Sequence, residues 1–369
     1  MPVDLVVVYS PVGGGHKAAA LALVEAARSS GQSAEALDLF EFAPRVVGDT
    51  YLAAHLNWTG MAPDLYGRAY HGSNRRGGAW EPVRLKFDQL LFGPLLDRIA
   101  QLQPRAVVGT HHLPLVVLGR ARRKGLLDAP LTAVVTDYAS HAVWAERGVD
   151  AFCVPSAAAG EDLVRHGVDA GRVYITGIPV RAAFERIAPL SAPQHGAQLR
   201  VLVTSGGFGV GPTREIVRSL AGAAGVAVTV VCGAAAQLRD QVARDAQALG
   251  AAVRAIGYER DMPARVREAH VVVGKAGGLT VSETLTAGRP MVVVGAVPGN
   301  EKLNEAFVVG SGAGVVASPG DVGGAVVALW ASGALAHMGA MGRAAIVRNA
   351  AVRVLGVTAS LAGRRSRAA

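Results

Sequence analysis

The sequence predicts an α/β protein of two similar halves, each a parallel sheet covered on both faces by helices. Three observations carry this. Short apolar runs are continuous rather than alternating, the mark of strands buried on both faces. Segments of helical apolar spacing separate them. The pattern then restarts after residues 185–199, where Pro189, Pro193 and Gly196 interrupt any periodicity. A length of 369 residues agrees with two sizeable domains at roughly 150 residues each.

In chain order, D-L-V-V-V-Y-S reads as a strand, P-V-G-G-G-H as a glycine turn, and K-A-A-A-L-A-L-V-E-A-A-R as a helix that stops at Gly31. The alternation breaks from about Phe42 to Phe92, a stretch with Trp58, Tyr66, Tyr70, Arg75, Arg76 and Trp80. It reads either as an insertion for an apolar acceptor or membrane, or as ordinary helical packing. Strands resume at R-A-V-V-G-T before H-H-L-P, at L-T-A-V-V-T before Asp137, at A-F-C-V-P, and at V-Y-I-T-G before Pro179. The second half runs through R-V-L-V-T-S-G-G-F-G-V-G-P, V-A-V-T-V-V-C-G, V-R-A-I-G-Y, A-H-V-V-V-G and P-M-V-V-V-G. Ligands of open parallel sheets bind beyond the carboxyl ends of the strands, so the polar clusters there are where chemistry is expected.

Composition narrows the class. Apolar residues make up 51% and charged residues 18%, which excludes general disorder. Glycine is 46 of 369 residues without a Gly-X-Y period, so the excess points to tight strand-to-helix turns. Cys153 and Cys232 stand far apart in apolar runs; they build neither a disulfide framework nor a zinc site, and a reducing cytoplasm fits. A net charge of +9 favours an anionic partner, whether nucleotide, phospholipid surface or nucleic acid. Basic clusters lie at Arg120, Arg122, Arg123 and Lys124 and at Arg364, Arg365 and Arg367. Two uncharged stretches, Ser219 to Leu238 and Val322 to Gly342, reach the ~20 residues of a membrane span. The first reads instead as helix end, turn and buried strand, and the second is rich in Gly and Ala with Pro319 before it. Asp4 and the lack of a basic leader argue against a signal peptide.

Three glycine clusters carry the candidate chemistry. Gly13, Gly14 and Gly15 let the backbone approach a ligand and place His16 near a helix N-terminus, where a neutral imidazole can serve as a base; a plain turn with a capping histidine is the alternative. Ser205, Gly206, Gly207, Gly209 and Gly211 precede Pro212 at a helix start, an arrangement of amides suited to a diphosphate. In G-K-A-G-G-L-T-V-S-E the amides of Ala276, Gly277 and Gly278 open a helix, with Glu283 further along, where a carboxylate can accept from a ribose diol or simply face solvent. The loop P-G-N-E-K-L-N adds Asn300, Glu301 and Asn304, groups suited to sugar hydroxyls. Neither the G-x-G-x-x-G fingerprint nor a P-loop is present, and no D-x-D motif occurs in the chain.

Taken together, S-P-V-G-G-G-H-K-A-A-A, V-T-D-Y-A-S-H-A-V-W, V-Y-I-T-G-I-P-V, G-G-F-G-V-G-P, K-A-G-G-L-T-V-S-E and P-G-N-E-K-L-N resemble the monogalactosyldiacylglycerol synthase and processive diacylglycerol glucosyltransferase family, MurG-like glycosyltransferases of family 28. The resemblance runs in order from about residue 5 to 315. It implies a GT-B fold: two Rossmann-like domains facing a cleft, with a C-terminal helix returning to the N-terminal domain. The expected division is 1–188 for the acceptor side, 198–340 for the UDP-sugar side and 341–369 for the returning helix and basic tail.

Carried over residue by residue, the resemblance makes His16 the catalytic base, with Asp137 either orienting it or acting as the base itself. It assigns Gly207, Gly209 and Gly211 to the diphosphate, Gly257 and Tyr258 to the surroundings of the nucleobase, and Lys275, Ala276, Gly277, Gly278 and Glu283 to the donor, Glu283 at the ribose. Asn300, Glu301 and Asn304 fall in the donor-sugar loop, and Gly14, Gly15, His112, His141 and Trp144 on the acceptor side. Asn300 stands where relatives commonly have Gln, and Gly274 where they often have Ser or Thr, so the sugar is left open. The implied activity is inverting transfer of a hexose from a UDP-sugar to a diacylglycerol-type lipid at the inner membrane face, on an anionic surface, without nucleic acid, cofactor or catalytic metal. Rival readings are transfer of N-acetylglucosamine to a lipid-linked precursor, a UDP-sugar 2-epimerase, and a non-catalytic binding protein.

Overall fold

A computed structural model of the chain describes residues 3–11, 14–44, 48, 74, 93–191, 196–207 and 209–366. Most of the Phe42 to Phe92 segment, Gly13 and Arg367 lie outside the described residues. The chain divides into two compact units, residues 1–182 with 347–369, and residues 183–346.

The first unit runs β1 (Leu5–Tyr9), α1 (Gly14–Ser29), β2 (Ala34–Asp38), α2 (Gly93–Leu102), β3 (Ala106–Gly109), α3 (His112–Arg123), β4 (Leu131–Val134), β5 (Ala151–Val154), α4 (Ala157–Arg165) and β6 (Val173–Ile175). All six strands pair in parallel, in the order β2-β1-β3-β4-β5-β6. The continuous apolar runs are explained by the two cores they serve, because successive strand side chains point to opposite faces. Val6 and Val8 pack with Leu95, Ile99, Leu115 and Leu118 on one face. Leu5, Val7 and Tyr9 pack with Ala20, Leu23 and Val24 of α1 on the other.

The second unit runs β7 (Leu199–Thr204), α5 (Thr213–Ala221), β8 (Val226–Val231), α6 (Ala236–Ala248), β9 (Val253–Ile256), α7 (Met262–Glu268), β10 (Val271–Gly274), α8 (Gly278–Thr286), β11 (Met291–Val293), α9 (Asn300–Gly310), β12 (Gly314–Val316), α10 (Val322–Ala331) and α11 (Ala334–Ala345). Its six strands are again all parallel, ordered β12-β11-β10-β7-β8-β9. The stretch Ser219 to Leu238 is thus the end of α5, a turn, β8 and the start of α6.

The unit boundaries differ from the expected 188 and 340, and the physical reason is two arginines. Arg289 donates to the Ala188 carbonyl at 3.0 Å and Arg343 to the Ile187 carbonyl at 2.9 Å, so residues 187–188 are fixed to the second unit. At the other end α11 packs on α8 and α10, and the chain re-enters the first unit only at Val347. Its last helix, α12 (Ala350–Ser366), packs on α1 and on β3, β4 and β5. Ala351 and Val354 join the α1-side core, and buried Thr358, whose hydroxyl donates to the Val354 carbonyl at 2.8 Å, accepts from the Thr132 hydroxyl at 3.3 Å. Residues 334–364 contain an 18-residue window with the mean hydropathy of a membrane span, 1.3. They form two helices of 12 and 17 residues, broken where Ile346 is extended and Asn349 takes φ 58°.

Gly177 sits where the returning chain meets the first unit. It has φ +84°, and a Cβ there would lie 2.5 Å from the Val347 carbonyl oxygen. Gly177→Ala combines left-handed strain with a backbone clash, so we expect a loss of about 2 kcal/mol or more in urea-unfolding free energy.

Candidate active site

In each sheet the strand order reverses once, and the first polar clusters lie at those points. In the first sheet the chain passes from β1 outward to β2 and then returns to β3 on the other side of β1. The crevice beyond the carboxyl ends of β1 and β3 is where such a fold opens, and His16 of α1 and Thr110 after β3 meet there. His16 Nδ1 lies 2.8 Å from the Thr110 carbonyl oxygen, and the Thr110 hydroxyl donates back to the His16 carbonyl at 2.9 Å. A carbonyl can only accept, so Nδ1 carries the hydrogen and the lone pair of the neutral ring is on Nε2. The Thr136 hydroxyl lies 3.0 Å from the same Nδ1, and His111 packs edge-on with ring centroids 4.4 Å apart.

Burial pushes the His16 imidazole below its ordinary value, against the nearby Asp137 carboxylate and the Thr110 carbonyl, which both pull it up. The site thus favours a neutral histidine with its lone pair on a defined atom. Thr110, His111 and Thr136 did not stand out in the sequence. Their only signal is position, since each follows a strand within two residues in V-V-G-T-H and A-V-V-T-D.

The other acceptor-side residues have structural roles in view. His111 and His141 both cap helical turns, each Nδ1 accepting from the backbone two residues on, Leu113 and Val143, at 3.2 Å. Trp144 is buried in the core with Leu115 and Leu118, with its ring 6.3 Å from that of half-buried His112. Gly14 and Gly15 form the first turn of α1. Within the basic cluster at the end of α3, Arg122 makes two hydrogen bonds to Asp150, at 2.9 and 3.0 Å, and Arg123 pairs with Glu146. Two of its charges are therefore met inside the unit.

In the second sheet the reversal lies between β7 and β10. The loop after β7 carries Gly207, Gly209 and Gly211, and the loop after β10 carries Lys275, Ala276 and Gly277, with Gly278 opening α8. Close contacts that only glycine allows press the loop after β7 against the loop after β8. Gly209 has φ +69°, and a Cβ on it would lie 2.4 Å from Ala235 Cβ; one on Gly233 would lie 2.6 Å from the carbonyl oxygens of both Gly206 and Gly207. Gly274 has the same reason for its identity: a Cβ there would meet the Thr204 hydroxyl at 2.5 Å.

Lys275 Nζ lies 3.4 Å from Glu301 Oε1, and Glu301 Oε2 accepts from the Val297 amide at 2.8 Å, which ties the loop after β10 to the loop before α9. Asn304 is fully buried and donates to the Ala276 carbonyl at 2.9 Å, so it braces the glycine loop rather than facing the opening. Asn300 opens α9 and Glu283 lies on α8, both partly exposed. Gly257 and Tyr258 follow β9, with Tyr258 73% exposed, available to a flat ring. Among the described residues no cluster of three His, Cys, Asp or Glu could hold a metal ion.

Residues 16–180 match the family model described as monogalactosyldiacylglycerol (MGDG) synthase, and residues 200–317 match the glycosyltransferase family 28 C-terminal domain. The chain thus joins a domain of the monogalactosyldiacylglycerol synthase type to a glycosyltransferase family 28 C-terminal domain. Among relatives, an uncharacterized glycosyltransferase, YkoN, of Bacillus subtilis is 27% identical over 301 residues, covering 81% of this chain and 80% of that one. The processive diacylglycerol beta-glucosyltransferase of the same organism is 26% identical over 312 residues, covering 82% and 80%. The crystal structure of Acinetobacter baumannii MurG superposes with a TM-score of 0.63 at 19% identity, over 97% of this chain and 99% of that one. Two Rossmann-like domains in this order make the fold GT-B.

A family member with this histidine should show it in its stability. The folded-state value of His16 lies below the unfolded 6.5, so the unfolded chain binds more protons beneath that pH and stability falls as pH drops through it. Urea unfolding at about pH 7.5 and about pH 5.5 should show this loss, and His16→Gln should make it smaller.

Proposed function

We propose that this glycosyltransferase moves a hexose from a UDP-sugar to the hydroxyl of a diacylglycerol-type lipid, with inversion at the anomeric carbon. The observation that carries the proposal is the His16 tautomer: Nδ1 is committed to the Thr110 carbonyl at 2.8 Å, which leaves Nε2 to accept the acceptor's proton. The acceptor oxygen then forms its bond to the anomeric carbon while the bond to the diphosphate breaks and the β-phosphate keeps the electron pair. Proton transfer to a placed base contributes roughly 10²- to 10⁴-fold. Amides of the glycine loops and Lys275 would meet the charge that grows on the leaving diphosphate. Glu283 would accept from the ribose hydroxyls, and the Asn300–Glu301 loop would face the sugar.

The acceptor class is supported by the relative named as a processive diacylglycerol glucosyltransferase, aligned over most of both chains. Work at a membrane surface follows from such an acceptor, and the net charge of +9 is consistent with an anionic leaflet.

Purified protein incubated with labelled UDP-glucose, UDP-galactose, UDP-glucuronate or UDP-N-acetylglucosamine should yield a labelled glycolipid only when diacylglycerol is present in anionic vesicles. No lipid product with any donor would defeat the proposal. His16→Ala should lower turnover by about 10²-fold or more with the fold retained, and the acid limb of wild-type turnover should lie below pH 6.5, the ordinary histidine value. Glu283→Gln should raise the donor KM by about 10-fold or more while changing kcat less. Full turnover in a folded His16→Ala would remove the base assignment.

A further inference from the structure

The amino-terminal edge of the second sheet carries a second concentration of charge, at the opposite end of the strands from the glycine loops. Arg200 is the second residue of β7, His270 immediately precedes β10, and Arg289 lies two residues before β11. They line a cavity of about 740 Å³ with Arg186 and Arg267. The six residues of β7 separate it from the glycine loops by about 20 Å at ~3.3 Å per residue.

Three features of this cavity call for an anion. Arg289 is buried, and its guanidinium donates only to carbonyls, those of Ala269, Ala188, Ala287 and Arg267 at 2.8–3.0 Å. Its positive charge is met by helix-end dipoles and, among the described residues, by no carboxylate. Burial and the neighbouring Arg200 and Arg343 charges push it down to about 10. Secondly, the Arg200, Arg186 and Arg267 side chains make no ion pair among the described residues, while Asp261, the cavity's carboxylate, is engaged in capping α7 by accepting from the Ala264 amide at 3.2 Å. The Glu268 carboxylate close by is paired with Arg265.

The third feature is a mismatch of donors. The Arg200 backbone amide donates to His270 Nδ1 at 3.1 Å, so that nitrogen bears no hydrogen and the neutral ring carries its hydrogen on Nε2. Burial, with Arg200 and Arg289 alongside, holds the ring neutral by pushing it down to about 4. Yet Arg200 Nη2 lies 2.7 Å from that same Nε2, so two donors face one another. An oxygen atom accepting from both would resolve the conflict, and stacking on Trp330 at 4.7 Å holds the imidazole in place to receive it.

We propose that this cavity binds a phosphate-bearing anion, with Arg200 and His270 as its direct donors, Arg267 and Arg186 at the rim and Arg289 as the fixed charge behind. Several convergent donors and an uncompensated guanidinium suit a doubly charged oxyanion better than chloride. The phosphate group can arrive free, on a small metabolite, or as a lipid headgroup.

The full-length protein is titrated with sodium phosphate and with glycerol 3-phosphate, against sodium chloride at equal ionic strength, following the melting temperature. We expect a saturable rise with phosphate beyond that of chloride, and an affinity at least about 10-fold weaker in Arg200→Gln. Because phosphate can also occupy the glycine loops, Lys275→Met is run in parallel and should keep the wild-type affinity at this cavity. His270→Phe, which keeps a ring against Trp330, gives a second reading if Arg200→Gln does not fold. No phosphate-specific shift in the wild type, or wild-type affinity in both cavity variants, overturns the proposal. Co-flotation with vesicles of phosphatidylglycerol in phosphatidylcholine then separates the sources. Parallel loss of flotation in Arg200→Gln supports binding of the headgroup, and unchanged flotation alongside lost phosphate affinity supports binding of the soluble anion.

Discussion

Parallel pairing of every strand is the constraint on which the rest of this structure depends. It forces each connection to cross the sheet and return, so helices cover both faces and the strands must be apolar throughout. It also aligns all carboxyl ends along one edge of each sheet and all amino ends along the other. Backbone groups and helix starts therefore gather at one edge and helix ends at the opposite one. In the first unit the strand order reverses beside β1, and this brings His16, at the start of a helix, against Thr110, at the end of a strand 94 residues later. In the second, the same reversal beside β7 brings together two glycine loops.

The loop after β7 is held by approaches that leave no room for a Cβ, against the loop after β8 and against the end of β10. Gly209, Gly233 and Gly274 each lie where a Cβ would come within 2.4–2.6 Å of a neighbouring atom. This shortens the distance between the loops after β7 and β8, and flexible glycine backbone of this kind suits gripping a ligand through its oxygens. Side chains then brace the arrangement from behind: Asn304 holds Ala276 and Glu301 ties Lys275 to the Val297 amide. The glycine excess of the composition finds part of its explanation here.

Charge is distributed unevenly. In the first unit, part of what the sequence shows as a basic cluster is consumed by Asp150 and Glu146, so a net charge of +9 overstates what α3 presents to a partner. In the second unit the reverse holds at the amino edge of the sheet. Arg289 ties the connecting residues to helix ends through neutral carbonyls, and among the described residues no carboxylate pairs with it or with Arg200. The same guanidinium that moves the unit boundary also creates the electrostatic character of the neighbouring cavity.

The parallel α/β class, the two halves and the position of each glycine turn were legible in the sequence, because continuous apolar runs and helical spacing are local consequences of burial on two faces. Six ordered motifs were enough to place the family. Local patterns do not register contacts between distant segments, and there the tertiary structure decided. It set the unit boundaries through Arg289 and Arg343, placed Trp144 in the core and turned Asn304 inward. It also chose the His16 tautomer through the Thr110 carbonyl, a backbone atom that no side-chain pattern reveals, and it brought Arg200, His270 and Arg289 together from three separate strand starts. Burial and hydrogen bonding across the sheet depend on strand order, and strand order is a property of the folded chain rather than of any segment within it.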